Sequence, residues 1–241
     1  MTRKWQILRA LSRVRDDRFY QIRQYRQTTL SMSDAESIAG FILAGGQSSR
    51  MGVDKGLLEI AGEPMIVRAS RLVGSAVGAA AVVVGTPEKY RALGLRAIAD
   101  DWPGCGPLGG IATALRAAET DWNLIVACDL AYLTREWLEY LLQRARESAE
   151  EAVVPINPTP ENKRGAEPLC AVYHRGCEPT LRRALERGVR KVADGLAALR
   201  IEVIEPNEWK GFDSEGALFK NVNTPADYEQ AKRKFAGRAE R

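Results

Sequence analysis

Apolar residues fall in short blocks along most of the chain, and between those blocks the spacing changes to the three-to-four repeat of a helix. From Ile38, IAGFIL is an unbroken apolar run of the kind that forms a strand buried on both faces, and it ends on a glycine-rich stretch. PMIVRASRLVGSA predicts a helix with proline in its first turn, AAAVVVG a β-branched strand, PEKYRAL a short helix and LRAIAD another strand. GPLGGIATALRAAE opens a helix, WNLIVACDL is a strand that runs into an aspartate, and TREWLEYLLQRARESA is an amphipathic helix with Thr134 at its N-cap. EAVVPI, EPLCAVYH, CEPTLRRALERG and RIEVIEP continue the alternation, and NTPADYEQAKRKFAG closes it with a helix. Strands separated by helices predict an α/β fold, Rossmann-like, with three α/β/α layers and a mostly parallel sheet. In such sheets ligands sit outside the carboxyl ends of the strands.

Charge changes the picture only at the N-terminus. The 241 residues carry a formal +4, but residues 1–33 hold eight Lys or Arg against two Asp, leaving 27 basic and 29 acidic residues for the rest. Residues 34–241 are therefore slightly acidic, and the expected globular part within them, 38–241, carries no net charge and lacks the basic stripe of a nucleic-acid binder. Residues 1–37 form a basic extension for which three readings stay open: a helix that touches acidic surfaces, a solvated tail, or an upstream extension with Met32 as the biological start. No run approaches the length of a membrane span and no secretory leader is recognisable, so no membrane partner and a cytoplasmic setting are expected. Cys105, Cys128, Cys170 and Cys177 form no C-x-x-C pair and are expected as free thiols.

The stretch LAGGQSSRMGVDKG, Leu43–Gly56, holds four glycines, an arginine and a lysine in fourteen residues. It is not a Walker A loop: five residues separate Gly46 from Gly52, the lysine comes three later, and Gly56 stands where Ser or Thr is needed. Nor does it match G-x-G-x-x-G, and the next helix begins only near Pro64. Its parts nevertheless suit a phosphate cradle. Gly45 and Gly46 permit close approach, Gln47, Ser48 and Ser49 supply donors, Arg50 can fork two phosphate oxygens, and Lys55 brings a compact charge. Asp129, directly after an apolar strand, suits Mg²⁺, which takes one or two carboxylates with phosphates completing its shell; a turn-capping role is the alternative. Of Asp100 and Asp101, one is expected to be functional and the other solvated. Gly106, Pro107 and Leu108 form a second glycine-rich turn able to line a base or phosphates. His174, the single histidine, has no partners for a nucleophilic triad.

LAGGQSSRMGVDK, GPLGGI, ACDLAYL and NVNTPADY, in that order, resemble the molybdenum cofactor guanylyltransferases, members of the glycosyltransferase-A-like nucleotidyltransferases, over about 38–235. The resemblance implies a fold like the nucleotide-diphospho-sugar transferases, and transfer of GMP from GTP to the phosphate of molybdopterin, with Mg²⁺ as cofactor and pyrophosphate released. It implies backbone contacts from Leu43, Ala44 and Gly45 to guanine and ribose, with Gly46, Ser48, Gly85 and the 106–108 turn beside the nucleotide. Arg50 and Lys55 would hold the triphosphate, Asp100 would lie near the nucleotide, and Asp129 would bind Mg²⁺ and GTP. Asn221 and Asn223 match an asparagine motif near metal and pterin phosphate, Asn223 serving as a metal ligand. The loop from Lys163 and Arg164 to Pro168 would face molybdopterin. Other cofactor-synthesis or molybdoenzyme-maturation proteins are expected partners.

Two departures stand out. Ala131 replaces the usual proline after the metal strand, and Gly85 stands where asparagine can occur, so a side-chain contact there is lost or replaced by backbone. The alternatives are a cytidylyltransferase, which usually opens L-A-A-G where this chain has Gly45, a nucleotidyltransferase for phospholactate, cobinamide phosphate or a sugar phosphate, and a non-catalytic GTP- and cofactor-binding adaptor.

Overall fold

A computed structural model of the chain describes residues 37–45, 54–158, 165–213 and 215–236, all within the compact unit Ser37–Arg241. The basic extension with Met32, and the segments holding Gly46, Gln47, Ser48, Ser49 and Arg50 and then Lys163 and Arg164, lie outside the described residues.

Nine strands are described: β1 (Ile38–Leu43), β2 (Glu59–Ile60), β3 (Glu63–Pro64), β4 (Val82–Gly85), β5 (Arg96–Ala99), β6 (Trp122–Ala127), β7 (Ala152–Pro155), β8 (Cys170–His174) and β9 (Ile201–Ile204). The helices are α1 (Met65–Val77), α2 (Pro87–Arg91), α3 (Pro107–Ala117), α4 (Arg135–Glu147), α5 (Glu178–Glu186), α6 (Val192–Gly195), α7 (Pro206–Trp209) and α8 (Pro225–Ala236). Seven strands form one sheet in the order β5-β4-β1-β6-β8-β7-β9; β8 alone runs against its neighbours β6 and β7. β1 pairs in parallel with both β4 and β6.

The continuous apolar runs arise because both faces of this sheet are covered. On one face Ile42, Val83, Leu124 and Val172 pack with Ile66 and Val73 of α1 and Trp137, Leu138 and Leu141 of α4. On the other, Phe41, Leu43, Ile125 and Tyr173 pack with Leu108 and Ile111 of α3 and Leu181 of α5. Period-two alternation along β1 therefore sends Ile42 to one layer and Phe41 and Leu43 to the other. α4 is capped as its sequence predicts, the Thr134 hydroxyl accepting the Trp137 N–H at 3.3 Å. Among the described residues no helix is long and apolar enough to cross a membrane, and the four cysteines are unpaired.

Three features go beyond the alternation. β2 and β3 make a two-residue hairpin before α1, where the sequence suggests only loop. β8 is antiparallel to β7, and the described ends of the segment between them already pair antiparallel at Ile156 and Ala166, so the chain returns in the opposite direction. A third cluster joins Ile60, Met65 and Tyr132 to Val222, Ala231 and Phe235, which brings the C-terminal segment back to the end of β6.

Two predictions follow from packing and burial. At Gly85 an added Cβ would stand 2.1 Å from the Ala44 carbonyl oxygen and 3.0 Å from Tyr90 Cε2, so Gly85→Ala should lower stability by about 1–3 kcal/mol in denaturant unfolding. Glu167, beside the start of β8, has its carboxyl pushed up to about 7 by burial, which the Asn157 amide hydrogen bond only partly offsets. The folded chain thus holds that proton more tightly than the unfolded one. Its contribution lowers stability progressively as pH rises from about 4.5 to about 7, and is fully unfavourable above that. Glu167→Gln should therefore raise the melting temperature at pH 8 and leave it nearly unchanged at pH 4.

Candidate active site

The carboxyl ends of β1, β4, β5 and β6 lie along one edge of the sheet, and the start of antiparallel β8 meets them there, Leu169 accepting the Ala127 N–H at 2.8 Å. Along this edge the structure gathers most of the described candidate residues. Leu43 accepts the Cys128 N–H at 3.1 Å, and Ala44 donates to Val84 O at 2.9 Å. Both are buried, so of the expected 43–45 contacts only Gly45 presents exposed backbone. Gly85 stands beside Ala44, and the Cβ clash there explains the missing asparagine: the two strand ends approach too closely for any side chain.

Lys55 opens a short 3₁₀ turn, Lys55–Leu57, whose N-cap is Asp54; the Asp54 Oδ1 accepts the Gly56 N–H at 2.9 Å. From that turn the Lys55 ammonium reaches Asn223 Oδ1 at 2.6 Å and Asp129 Oδ2 at 3.8 Å. Lys55 and Asp129 are 168 and 94 positions from Asn223, so only the fold brings the three together. Asp129 is mostly withdrawn from water. Burial pushes its carboxyl above the ordinary carboxylate range, and the Lys55 charge and a backbone hydrogen bond oppose that shift without cancelling it. A carboxylate held so gains from an added cation.

The position of Asn223 has its own cause. Val222 is fully buried in the third cluster, and its N–H donates to Asp129 O at 2.9 Å. Beyond it, the Asp227 carboxylate accepts N–H bonds from Asn223 at 3.2 Å and Thr224 at 2.9 Å, while Thr224 Oγ1 accepts the Asp227 N–H at 3.2 Å. This is a capping box at the start of α8, with proline at the first helical position. Burial raises the Asp227 carboxyl, but these hydrogen bonds and Lys220 outweigh it and hold it below its usual value. Asn221 lies on the other side of Val222, half-buried.

At the end of β5, Asp100 Oδ1 accepts the Trp102 N–H at 2.9 Å and the Thr113 hydroxyl at 3.0 Å, shaping the turn into α3, while Asp101 pairs with Arg116 at the surface. Gly106, with φ 71° and ψ −164°, takes a backbone conformation open to glycine alone, and Pro107 follows at the helix start. The Leu108 side chain is fully buried among the core residues, which leaves its backbone to the turn. Pro168 lies half-buried at the start of β8, its carbonyl accepting the Tyr173 hydroxyl at 2.8 Å. Ala131, where proline was expected, is buried in the third cluster. His174 accepts the Gly176 N–H at 3.1 Å and packs edge-on against Trp122, a local capping role.

The sequence reading missed Asp54, Lys89, Tyr90 and Asp227. N-T-P-A-D carries a capping-box signal that marks Asp227, and D-K-G marks Asp54 as a turn cap. Nothing local ties Lys89 and Tyr90 to position 54.

No group of three or more His, Cys, Asp or Glu among the described residues could by itself hold a metal ion. Asp129 and Asn223 are hard oxygen donors converging on one ammonium, and a desolvated carboxylate with an amide oxygen fits Mg²⁺, which leaves further positions to water and phosphate.

The chain is similar to known proteins over most of its length. The family description MobA-like NTP transferase domain matches residues 40–200. A probable molybdenum cofactor guanylyltransferase of Pelotomaculum thermopropionicum is 34% identical over 193 residues, covering 80% of this chain and 91% of that protein. One from Opitutus terrae is 31% identical over 215 residues, covering 85% and 99%. Among solved structures, molybdopterin-guanine dinucleotide biosynthesis protein A from Archaeoglobus fulgidus superposes with a TM-score of 0.69 at 26% identity, covering 83% of this chain and all of that one. With the sheet order, the strand-end site and these matches taken together, the chain belongs to the MobA-like NTP transferase family.

Proposed function

We propose that the protein is a Mg²⁺-dependent guanylyltransferase that transfers GMP from GTP to the phosphate of molybdopterin or its molybdenum form. The observation that carries this reading is the convergence of Lys55, Asn223 and Asp129 at the carboxyl edge of the sheet; the names of the relatives supply the nucleotide and acceptor.

The chemistry needs little beyond positioning and charge. An acceptor phosphate oxygen forms a bond to the α-phosphorus of GTP, the bond from that phosphorus to the β-bridging oxygen breaks, and pyrophosphate leaves with that electron pair. The acceptor is already anionic at neutral pH, so no side-chain nucleophile is required, in keeping with the capping role of His174 and the burial of Cys170 and Cys177. What the reaction lacks is neutralisation of two approaching anions. Lys55 supplies a positive charge at the triphosphate, and Arg50, from the glycine-rich motif, is assigned to its outer oxygens. Asp129 and Asn223 would hold Mg²⁺, which supplies charge neutralisation for the triphosphate and leaving pyrophosphate. Gly45, with open space at its Cβ position after β1, is assigned to a purine, and the 106–108 turn is assigned to the same nucleotide. Asn221 and the 163–168 segment are assigned to the acceptor.

The test is pyrophosphate release by the purified full chain with Mg²⁺, molybdopterin and GTP or CTP in parallel. Release that needs both GTP and the pterin is expected; release with CTP alone would overturn the base assignment, and none with either would remove the acceptor. Lys55→Ala and Asp129→Ala should keep the fold and lower kcat at least about a hundredfold, the scale of losing one electrostatic group at a transition state. Because the Asp129 carboxylate is destabilised by burial, Asp129→Asn should lose activity with no loss of melting temperature.

A further inference from the structure

A second set of side chains meets behind Lys55 and has no part in the reaction as described. Asp54 divides its two oxygens: Oδ1 accepts the Gly56 N–H at 2.9 Å, and Oδ2 receives the Lys89 ammonium at 2.5 Å and lies 3.3 Å from the Tyr90 hydroxyl. That hydroxyl is also 3.3 Å from the Ala44 carbonyl oxygen, and its single proton is shared between the two acceptors. Ala44 directly follows β1, and Asp54 lies ten positions further along the glycine-rich stretch. Tyr90, buried on α2, therefore links two points of that stretch, one on each side of positions 45–53.

The seat is closely packed. A Cβ at Gly56 would lie 3.3 Å from Asp54 Oδ1 and 3.4 Å from Ile66 Cβ, so the turn has little room to shift. Burial and the nearby Asp54 charge raise the Tyr90 hydroxyl far above its ordinary value, which keeps it a donor at every working pH. The Lys89–Asp54 pair is partly exposed, with side-chain exposures of 39% and 25%, and such pairs add little to folding stability. Its effect is orientational. Lysine reaches its target through four rotatable bonds, so the ammonium sits between Asn223 and Asp129 only if the backbone from which it departs is held. Asp54 provides that hold through the N–H of Gly56.

We propose that Asp54, held by Lys89 and Tyr90, is a positioning residue that fixes the turn from which Lys55 reaches the reaction centre, an inference that rests on the role given to Lys55 above. The role assigned to Asp54 runs through that turn and not through contact with nucleotide or metal.

The test uses the full chain with Asp54→Ala, Asp54→Asn and Tyr90→Phe. Two readouts are taken: amide hydrogen exchange across residues 54–58 without ligand, and kcat and KM for GTP from pyrophosphate release. Asp54→Ala should speed exchange at Gly56 and Leu58 and lower kcat about tenfold or more, with KM for GTP changed by less than about threefold. Asp54→Asn keeps an oxygen for the Gly56 N–H and should restore most of both, and Tyr90→Phe, which keeps the ring, should fall between. If Asp54→Ala does not fold, the two milder variants carry the comparison against wild type. Unchanged exchange with lowered kcat would mean direct contact with the substrate and overturn the proposal. Faster exchange with normal kcat would leave Asp54 a local cap and overturn it as well. Faster exchange in the variants, with no GTP-dependent turnover in wild type, would support the hold on the Lys55 turn while removing the guanylyltransferase reading.

Discussion

A sheet covered by helices on both faces has no polar surface to offer except at its strand ends, and this constraint organises the molecule. Ile42 and Phe41 are neighbours in sequence yet serve opposite layers, and neither layer can admit an anion. At the carboxyl edge the strands stop hydrogen-bonding to each other and the chain turns away, leaving room for ligands. The candidate residues gather there for that reason. Gly85 shows how tight the edge is: two strand ends come so close that a methyl group would strike the Ala44 carbonyl.

Electrostatics at this edge are set by opposing charges in a half-dry setting. Asp129 is buried enough that its ionised form is disfavoured, even with the Lys55 ammonium 3.8 Å away. Lys55 is in turn held by an amide oxygen that cannot neutralise it, that of Asn223. Under the proposed function, that leaves the cation charge for a polyphosphate and the carboxylate capacity for a divalent ion. A fully matched ion pair would satisfy both groups and attract neither ligand.

The C-terminal segment completes the site by way of an apolar anchor. Val222, wholly buried, places Asn223 beside Asp129, and the Thr224–Asp227 capping box stops the backbone there from drifting. Asp54, Lys89 and Tyr90 perform the corresponding task for Lys55. In both places a group assigned to the ligand is held by residues with no such assignment.

Much of this was legible in the residues. Apolar periodicity located the main strands and helices, because burial on both faces demands continuous apolar runs and helical faces demand a three-to-four repeat. Lys55 and Asp129 could be singled out because each follows a local signal, a glycine-rich turn and a strand end, whereas Asn223 was marked only by the resemblance of N-V-N-T-P to a family motif. Other features are set by contacts between distant segments, and no local signal encodes them. The β2–β3 hairpin is too short to show a period, and the reversal of β8 depends on which neighbours it joins. The withdrawal of Leu108 into the core depends on the packing of α3 against the sheet, and the pairing of position 54 with 89 and 90 depends on where α2 docks. Sequence alone determined which groups carry charge and where the strands end, since those depend on residue type and local spacing. Only the tertiary structure decided which of those groups meet and how dry their surroundings are, since distance and desolvation are properties of packed segments.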